Sequence, residues 1–572
     1  MGDLPRQRAR HEPDGASPEF ACSPRTMAIC GGVALLLVYL IRSAWMAEDG
    51  YISFRVVENF LNGYGLRWNV GERVQTFTDP LFVGMVTLAT WVSGNVFFAC
   101  CAVSLLLTLA AFLLLTRNAS AAGVATVTMV LLFSKGFMDF SVSGLENPAT
   151  HLALAAYFFA YWKNRDPFIL TLIAAFAATN RIDTILLLLP SLCAVYVRTG
   201  PRVWKRALAG WTPYLVWTAF ALFYYGFALP NTYYAKLHTG IPVRDRIFQG
   251  FVYLVNAFRC DTVTIFAICA GVAIAFLARQ WWAGAGAILY CLYVVWIGGD
   301  FMSARFFTAP LVVCVALIAN YWKPSPAPAV ITIAVILALG MSIPSPTVLS
   351  ARADWGTMTV DGGGIADERA VYFQGASLLN YHRDFLWPTT FGWSGLGEDL
   401  KAKGVKVYVF GNIGFLGYHA GPGVHVIDFN ALGDALIARL PAVAGPWRIG
   451  HHARAVPAGY EETVSTGVNK IADPNLAEYY NHLKVVICGN LWSWQRFEEI
   501  VLFNIGYYDH LLPKRPGYTT LHYHWDTMRV TEPLTLPARF LRRNGRYVEV
   551  LDQERRHAMI RVRDPLRSLA GR

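Results

Sequence analysis

Residues 45–80 read WMAEDGYISFRVVENFLNGYGLRWNVGERVQTFTDP, and the interpretation of the whole chain turns on them. The stretch follows directly on the apolar run 27–46, yet it carries Glu48, Asp49, Arg55, Glu58, Arg67, Glu72, Arg73 and Asp79. Two adjacent carboxylates at the exit of a membrane helix sit where charge is unfavourable, so their presence needs a reason. Ile52, Val56, Phe60 and Leu61 recur at helical spacing, which predicts an amphipathic helix lying on the membrane surface. Gly63, Gly65 and Gly71 then turn the chain before Asp79-Pro80 opens the next apolar segment.

Composition sets the class. Apolar residues make up 55% of the 572, aromatics 14% and charged residues only 15%. Ordinary soluble domains run near 25% charged, so the expected fold class is an α-helical polytopic membrane protein. The net charge of +11 would suggest nucleic acid in a soluble chain. Here the arginines gather in short loops between apolar runs and no basic groove interleaved with aromatics occurs, which speaks against a nucleic-acid partner. The ten cysteines include no CxxC pair, and only Cys488 lies in the polar C-terminal part. That excludes a disulfide framework there and argues against a cysteine metal site.

Taken in order, residues 1–26 are polar and arginine-rich and are expected to be a disordered cytoplasmic N-terminus. Residues 27–344 form the expected transmembrane domain, with 47–80 as its first outer loop. Further apolar runs fall near 95–116, 119–134, 148–163, 167–180, 184–198, 209–227, 261–278, 283–298, 306–321 and 329–343. If the short run 80–93 dips in and returns, Arg117, Lys163, Arg165, the cluster Arg198 to Arg206, Arg279 and Lys323 fall mostly on the inside, giving about 11–12 transmembrane helices. The loops 135–147, 181–183, 228–260 and 299–305, and everything after 344, then face outward. Residues 345–572 are enough for one extracytoplasmic α/β domain, with strands expected at Val405–Phe410, Val424–Ile427 and Val485–Ile487.

The candidate chemistry lies on that one face. Glu48 and Asp49 read as a general base whose pKa the neighbouring acid shifts; the alternative is a pair capping the following helix or bonded to Arg55. Asp300 and Arg305, beside Gly298-Gly299, are either an ion pair at a turn or a ligand site in which Arg305 clamps phosphate. Asn231, Tyr234 and Lys236 suit a sugar and a phosphate, or else an aromatic belt with a snorkelling lysine. Arg181 and Asp183 can pair with each other, and Glu146 reads as a cap for the helix near Pro148. His451, His452, His522 and His524 bring no third ligand at metal spacing and read as exposed or satisfied histidines. Gly362 to Gly364 is too weak a cluster to be a phosphate loop.

These residues together resemble the GT-C superfamily of integral-membrane glycosyltransferases, and within it the terminal arabinofuranosyltransferases of cell-wall arabinan. That family carries Asp-Asp-Ala-Tyr-Ile-Ser-Phe-Arg after its first helix, where this chain has Glu48-Asp49-Gly-Tyr51-Ile-Ser-Phe-Arg55. The similarity continues through Gly63-Tyr-Gly65-Leu, Asn69-Val-Gly71-Glu72-Arg73, Thr78-Asp-Pro80-Leu, Ser143-Gly-Leu-Glu146, Leu229-Pro-Asn231-Thr-Tyr-Tyr234-Ala-Lys236 and Gly298-Gly-Asp300-Phe-Met. It extends to Gly421-Pro-Gly-Val-His-Val-Ile-Asp428, Arg448-Ile-Gly-His451 and Pro457-Ala-Gly-Tyr460, covering most of 27–465.

The resemblance implies a polyprenyl-phosphate sugar donor, an inverting transfer to a glycan acceptor, and a catalytic carboxylate in the first outer loop. Because the first acid is Glu here, Asp49 is the expected base with Glu48 as rival or partner. Lys236, Arg305 and Arg181 are the expected phosphate ligands, and Arg55, Asp79, Asn231, Tyr234 and Asp300 the substrate-binding set. No cofactor and no resident metal are expected, although the acids leave room for a divalent ion. The expected place is the cell inner membrane, multi-pass, within the lipid bilayer. A transporter or flippase of polyprenyl-linked glycan is the alternative; it predicts mid-membrane charges and internal repeats, and no clear repeat is present.

Overall fold

A computed structural model describes residues 23–237, 239–349, 361, 363–380, 392–443 and 447–513, with the backbone of a short hairpin beyond them. The protein is mostly helical. In chain order the first helices are α1 (Pro24–Ser43), α2 (Glu48–Leu61), α3 (Pro80–Ser93), α4 (Val96–Thr116), α5 (Ala121–Phe133), α6 (Lys135–Phe140), α7 (Asn147–Trp162) and α8 (Pro167–Asn180). There follow α9 (Ile185–Thr199), α10 (Val203–Gly210), α11 (Thr212–Tyr225), α12 (Asn231–Leu237), α13 (Val243–Cys260), α14 (Thr262–Leu277), α15 (Trp281–Ile297), α16 (Thr308–Tyr321) and α17 (Pro326–Met341). The C-terminal part holds α18 (Glu368–Ala376), α19 (Gly392–Ala402), β1 (Val407–Phe410), α20 (Ile413–Ala420), β2 (His425–Asp428), α21 (Tyr460–Thr466), α22 (Pro474–Cys488), α23 (Trp494–Asn504) and the hairpin β3 (Phe540–Arg543) and β4 (Arg546–Glu549).

Each long apolar run of the sequence is a helix within a few residues. Among the described residues three are long and apolar enough to cross a membrane unaided: Pro24–Ser43, Val96–Thr116 and Ile182–Thr199. A fourth results if α13 and α14, bent by 106° at Asp261, count as one broken span. This falls short of the 11–12 spans expected from the apolar runs. Six others, α3 among them, are apolar but only 13–17 residues long, on the order of 20–26 Å against a hydrocarbon core of about 30 Å. The stretch 228–260, expected as a loop, holds α12 and the amphipathic α13, whose polar residues had hidden its period.

The first helix begins at Pro24, capped by the Ser23 hydroxyl on the Thr26 N–H, so it starts before the expected 27; residues 1–22 lie outside the described set. It ends at Ser43, and the chain runs extended through Ala44–Ala47. That strip is clasped on both sides: Trp45 and Ala47 donate to the Val142 and Ser143 carbonyls, while Met46 donates to the Ala376 carbonyl and the Ala44 carbonyl accepts from the Leu378 N–H. The exit of the first helix is therefore held by the C-terminal part of the chain.

The helix that follows is not a surface helix. In α2 Tyr51, Phe54, Arg55, Val56 and Val57 are all at most 2% exposed. One side meets α20, with Tyr51 against Phe415 at 4.7 Å and Tyr418 at 5.3 Å between ring centroids. The opposite side meets the loop before α7 at Gly144, where a Cβ on Gly50 would lie 3.0 Å from a carbonyl oxygen. Period-3.6 spacing located the helix, but an apolar stripe cannot tell lipid from protein as its partner.

β1 and β2, at two of the places where strands are expected, form a parallel pair in register Val407 to His425. The third expected strand, Val485–Ile487, is instead the end of α22. Leu476, Tyr479, Tyr480, Leu483, Val486 and Ile487 bury one helical face there, and the Asp473 carboxylate caps the start at Leu476 N–H. Three consecutive apolar residues are too few to separate strand from helix. One hydrophobic core runs from Leu36 through α2 and α20 to Ile449, and a second gathers Phe227, Leu436, Tyr479 and Leu483.

Arg55 fastens the two parts. Its guanidinium donates to the Gly417 and Val424 carbonyls, both at 2.8 Å, and stacks on Trp68 at 4.3 Å. Arg55→Ala is expected to cost about 3 kcal/mol and lower the thermal midpoint, because two buried carbonyls lose their donor. Arg55→Lys should not restore it, since an ammonium cannot span both carbonyls and stack.

Candidate active site

Acids and bases from six distant segments meet at the same ends of the apolar helices. Glu146, in the turn before α7, is the hub. Its Oε1 accepts from Arg181 Nη1 at 2.7 Å and from Arg305 Nη2 at 2.9 Å, and its Oε2 from Arg305 Nη2 at 3.0 Å. Glu146 occupies the N-cap position of α7 but makes no side-chain cap, which corrects the reading of it as a capping residue. Burial works against its charge, yet Arg305 and Arg181 outweigh burial and hold the carboxyl down at about 2.

Both arginines are engaged further. Arg181 forms a forked pair with Asp183, Nε to Oδ1 at 2.9 Å and Nη2 to Oδ2 at 2.5 Å. Arg305 Nη1 lies 3.6 Å from Asp300 Oδ2, so the ion pair anticipated at that turn forms. Arg305 Nε is buried with no hydrogen-bond partner. Asp79, just ahead of α3, is buried beside this cluster; burial and the charge of Glu146 push its carboxyl up to about 7.

Asp49, in the first turn of α2, lines a small cleft together with Glu48, Lys236, Phe301 and His451. Burial raises its pKa, while Lys236 and then Arg305 pull it back down. Lys236 projects from α12 into the same cleft and forms no ion pair among the described residues. The Phe301 ring is the shared floor: the Lys236 ammonium lies 5.9 Å from its centroid, the Arg448 guanidinium 5.4 Å and the His451 ring 4.6 Å. Burial and then Arg448 hold His451 well below its ordinary pKa, so it faces the cleft as a neutral imidazole. Asn412 and Asn430 add amides to the far wall.

Glu48 lines the cleft too, but its carboxylate is committed. Oε1 accepts from the backbone N–H of Gly414 at 2.5 Å and of Phe415 at 3.3 Å, so it caps α20 rather than its own helix and does not touch Arg55. Burial and the neighbouring Asp49 raise its pKa well above the ordinary value. Of the sequence candidates, Asp49, Glu48 and Lys236 line the cleft; Arg305, Arg181, Asp300 and Asp79 belong to the buried charge cluster rather than to the cleft wall, and three others hold structure. Arg55 is the fastener described above; Asn231 donates to the carbonyls of Ala431, Leu432 and Asp434; Tyr234 lies under the Arg439 guanidinium at 4.4 Å. Asn231 and Tyr234 thus carry the helix that carries Lys236.

The residues missed from sequence are Glu368, Arg448, Asn412, Asn430 and the site-facing role of His451. Glu368 is buried near Asp49, and burial pushes its carboxyl up to about 8. Its signal was faint: one acid in a polar segment, with no apolar context to make it unusual. His452 is buried beside Trp447; His522, His524 and Gly362 lie outside the described residues.

For a metal, Glu72, His425 and Asp434 offer donor atoms all within 4.8 Å of one another. The Asn69 amide nitrogen already sits 3.2 Å from both Glu72 Oε1 and His425 Nε2, and the same amide is locked by two bonds to Val426. An ion there would have to displace it.

Over 328 residues the chain is 24% identical to the terminal β-(1→2)-arabinofuranosyltransferase of Mycobacterium tuberculosis, a match that takes in 48% of this chain and 52% of that one. The chain is a distant relative of that protein. The matched region spans about half the length of the relative, and no protein-family model matches the chain.

The cleft depends on a close approach. A Cβ on Gly414 would stand 1.9 Å from the Glu48 carbonyl oxygen, and backbone cannot give way as a side-chain tip can. Gly414→Ala is therefore expected to reduce folded yield and thermal midpoint. Gly423→Ala, which meets open space, should leave both unchanged.

Proposed function

We propose that the chain is an integral-membrane glycosyltransferase of the GT-C type. In this reading it moves a sugar of the arabinofuranose class from a polyprenyl-phosphate donor to a cell-envelope glycan, at the outer face of the inner membrane. The observation that carries the reading is the meeting of Asp49 and Lys236 in one cleft, an acid raised by burial beside an ammonium that forms no ion pair among the described residues. Similarity to an arabinofuranosyltransferase supports the choice of sugar.

The reaction is a single displacement. Asp49 accepts the proton of an acceptor hydroxyl, and that oxygen attacks the anomeric carbon from the face opposite the phosphate. The bond from the anomeric carbon to the phosphate oxygen breaks, its electron pair leaves with the polyprenyl phosphate, and the configuration inverts. Lys236 offsets the charge of the leaving phosphate, and Arg305 has Nε–H left to donate. Arg181, held by Glu146 and Asp183, acts in this scheme by fixing Arg305 rather than by touching phosphate. These cations supply the positive charge that a divalent ion would otherwise bring. The segments around Asn412, Asn430 and His451, from an outward C-terminal domain, present amides and a neutral imidazole to acceptor hydroxyls.

Membranes holding the protein, supplied with labelled polyprenyl-phosphoryl arabinofuranose and an arabinan acceptor, test this. Asp49→Asn is expected to lower transfer at least about 100-fold, the range of a lost general base, while Glu48→Gln lowers it less and chiefly through stability. Undiminished transfer by Asp49→Asn would remove the base.

A second expectation concerns pH. A base works only when deprotonated, and the Asp49 pKa is raised above the ordinary 3.8. Transfer should therefore fall as pH drops through a midpoint above 3.8, and Lys236→Ala, which removes the charge that lowers it, should move that midpoint higher still.

A further inference from the structure

The outward side of α23 carries large apolar side chains that no described residue covers. Trp494, Val501 and Ile505 lie on it, with Trp492 and Tyr507 at its two ends, and each is at least 58% exposed. The other face is anchored with unusual care. Arg496 is fully buried and donates to the Phe223 and Tyr224 carbonyls at 2.7 and 3.0 Å; Asn504 donates to Gly226 O at 2.8 Å. Those carbonyls are the unsatisfied end of α11, so α23 caps that helix. Trp492 packs on Phe223 with 4.8 Å between centroids, and Leu215 and Val216 on α11 are exposed as well. Exposed apolar side chains thus continue from the side of α11 through the Phe223–Trp492 contact to the start of α23.

We propose that α23 lies at the headgroup–acyl boundary of the bilayer beside the end of α11, as a membrane anchor for the C-terminal part of the chain. Paired tryptophans flanking aliphatic residues suit that boundary, where an indole keeps its N–H in the headgroups and its ring in hydrocarbon. Exposed tryptophans also stack on sugars, but Val501 and Ile505 share this face and have no ring to offer. Glu498 is exposed one turn from both Trp494 and Val501, and a helix at the boundary keeps such a carboxylate in the headgroups while the apolar side chains insert. The inference depends on the chain residing in a membrane and not on glycosyl transfer.

Benzoylphenylalanine placed as Val501→benzoylphenylalanine or Ile505→benzoylphenylalanine in the full chain tests it, with Val468 as control. Val468 is exposed but lies off α23, on the segment before α22 whose Gly467 carbonyl accepts from Lys484, so it reports how often any exposed aliphatic position is labelled. In phosphatidylcholine vesicles, photolysis is expected to give phospholipid adducts at 501 and 505 at least about five times more often than at 468. Should one variant fold poorly, the other position carries the test. Equal labelling at 468, adducts to another part of the chain or to a second copy, or adducts redirected to an added arabinan oligosaccharide would each overturn the proposal.

Discussion

Glu146 held between Arg181 and Arg305 is the constraint on which the rest of the structure depends. The three residues come from the turns before α7, between α8 and α9, and after α15, so their contact pins three helix junctions to one depth. Burying such charges is unfavourable unless each is paired, and removing one partner from a buried pair typically costs about 3–5 kcal/mol. The arrangement is therefore all-or-none: with every partner present the helix ends are locked, and with one missing an uncompensated charge remains. Asp300 and Asp183 complete the pairing on its flanks.

Asp49 and Lys236 stand outside that lock, and among the described residues neither forms an ion pair. Asp49 feels the cluster electrostatically but is not bound into it, and it lines the cleft together with Lys236. The acid is kept there by α2, which is wedged between α20 and the Gly144 turn, and the lysine by α12, whose Asn231 is bonded to three carbonyls of the 431–434 loop. Paired charges build the scaffold, and the ones left unpaired are available for chemistry.

Much of this was legible in the chain. The apolar runs located the helices, and the crowding of acids, amides and arginines at one set of helix ends located the cluster. Lys236, Arg305, Arg181, Asp300, Asp79 and Asp49 were all chosen from local sequence, and their side chains converge. What the sequence could not supply was pairing across distance. Glu48 read as a rival or partner to Asp49 in catalysis because its structural partner, the start of α20, lies more than 360 residues further on. Arg55 looked like a ligand for the same reason, its acceptors being Gly417 and Val424. Glu146 looked like a cap because caps are local and ion pairs are not. The surface placement of α2 and the strand at Val485–Ile487 failed differently: periodicity reports that a face is buried, not what buries it.

The most direct measurement of the central claim is an experimental structure of the full chain with a bound polyprenyl-phosphate sugar. The account predicts phosphate density against Lys236 Nζ and Arg305 Nε, with the anomeric carbon turned so that an acceptor oxygen would fit between it and the Asp49 carboxylate. Phosphate seated away from Lys236, or a sugar with Asp49 on the same side as its leaving group, would contradict it.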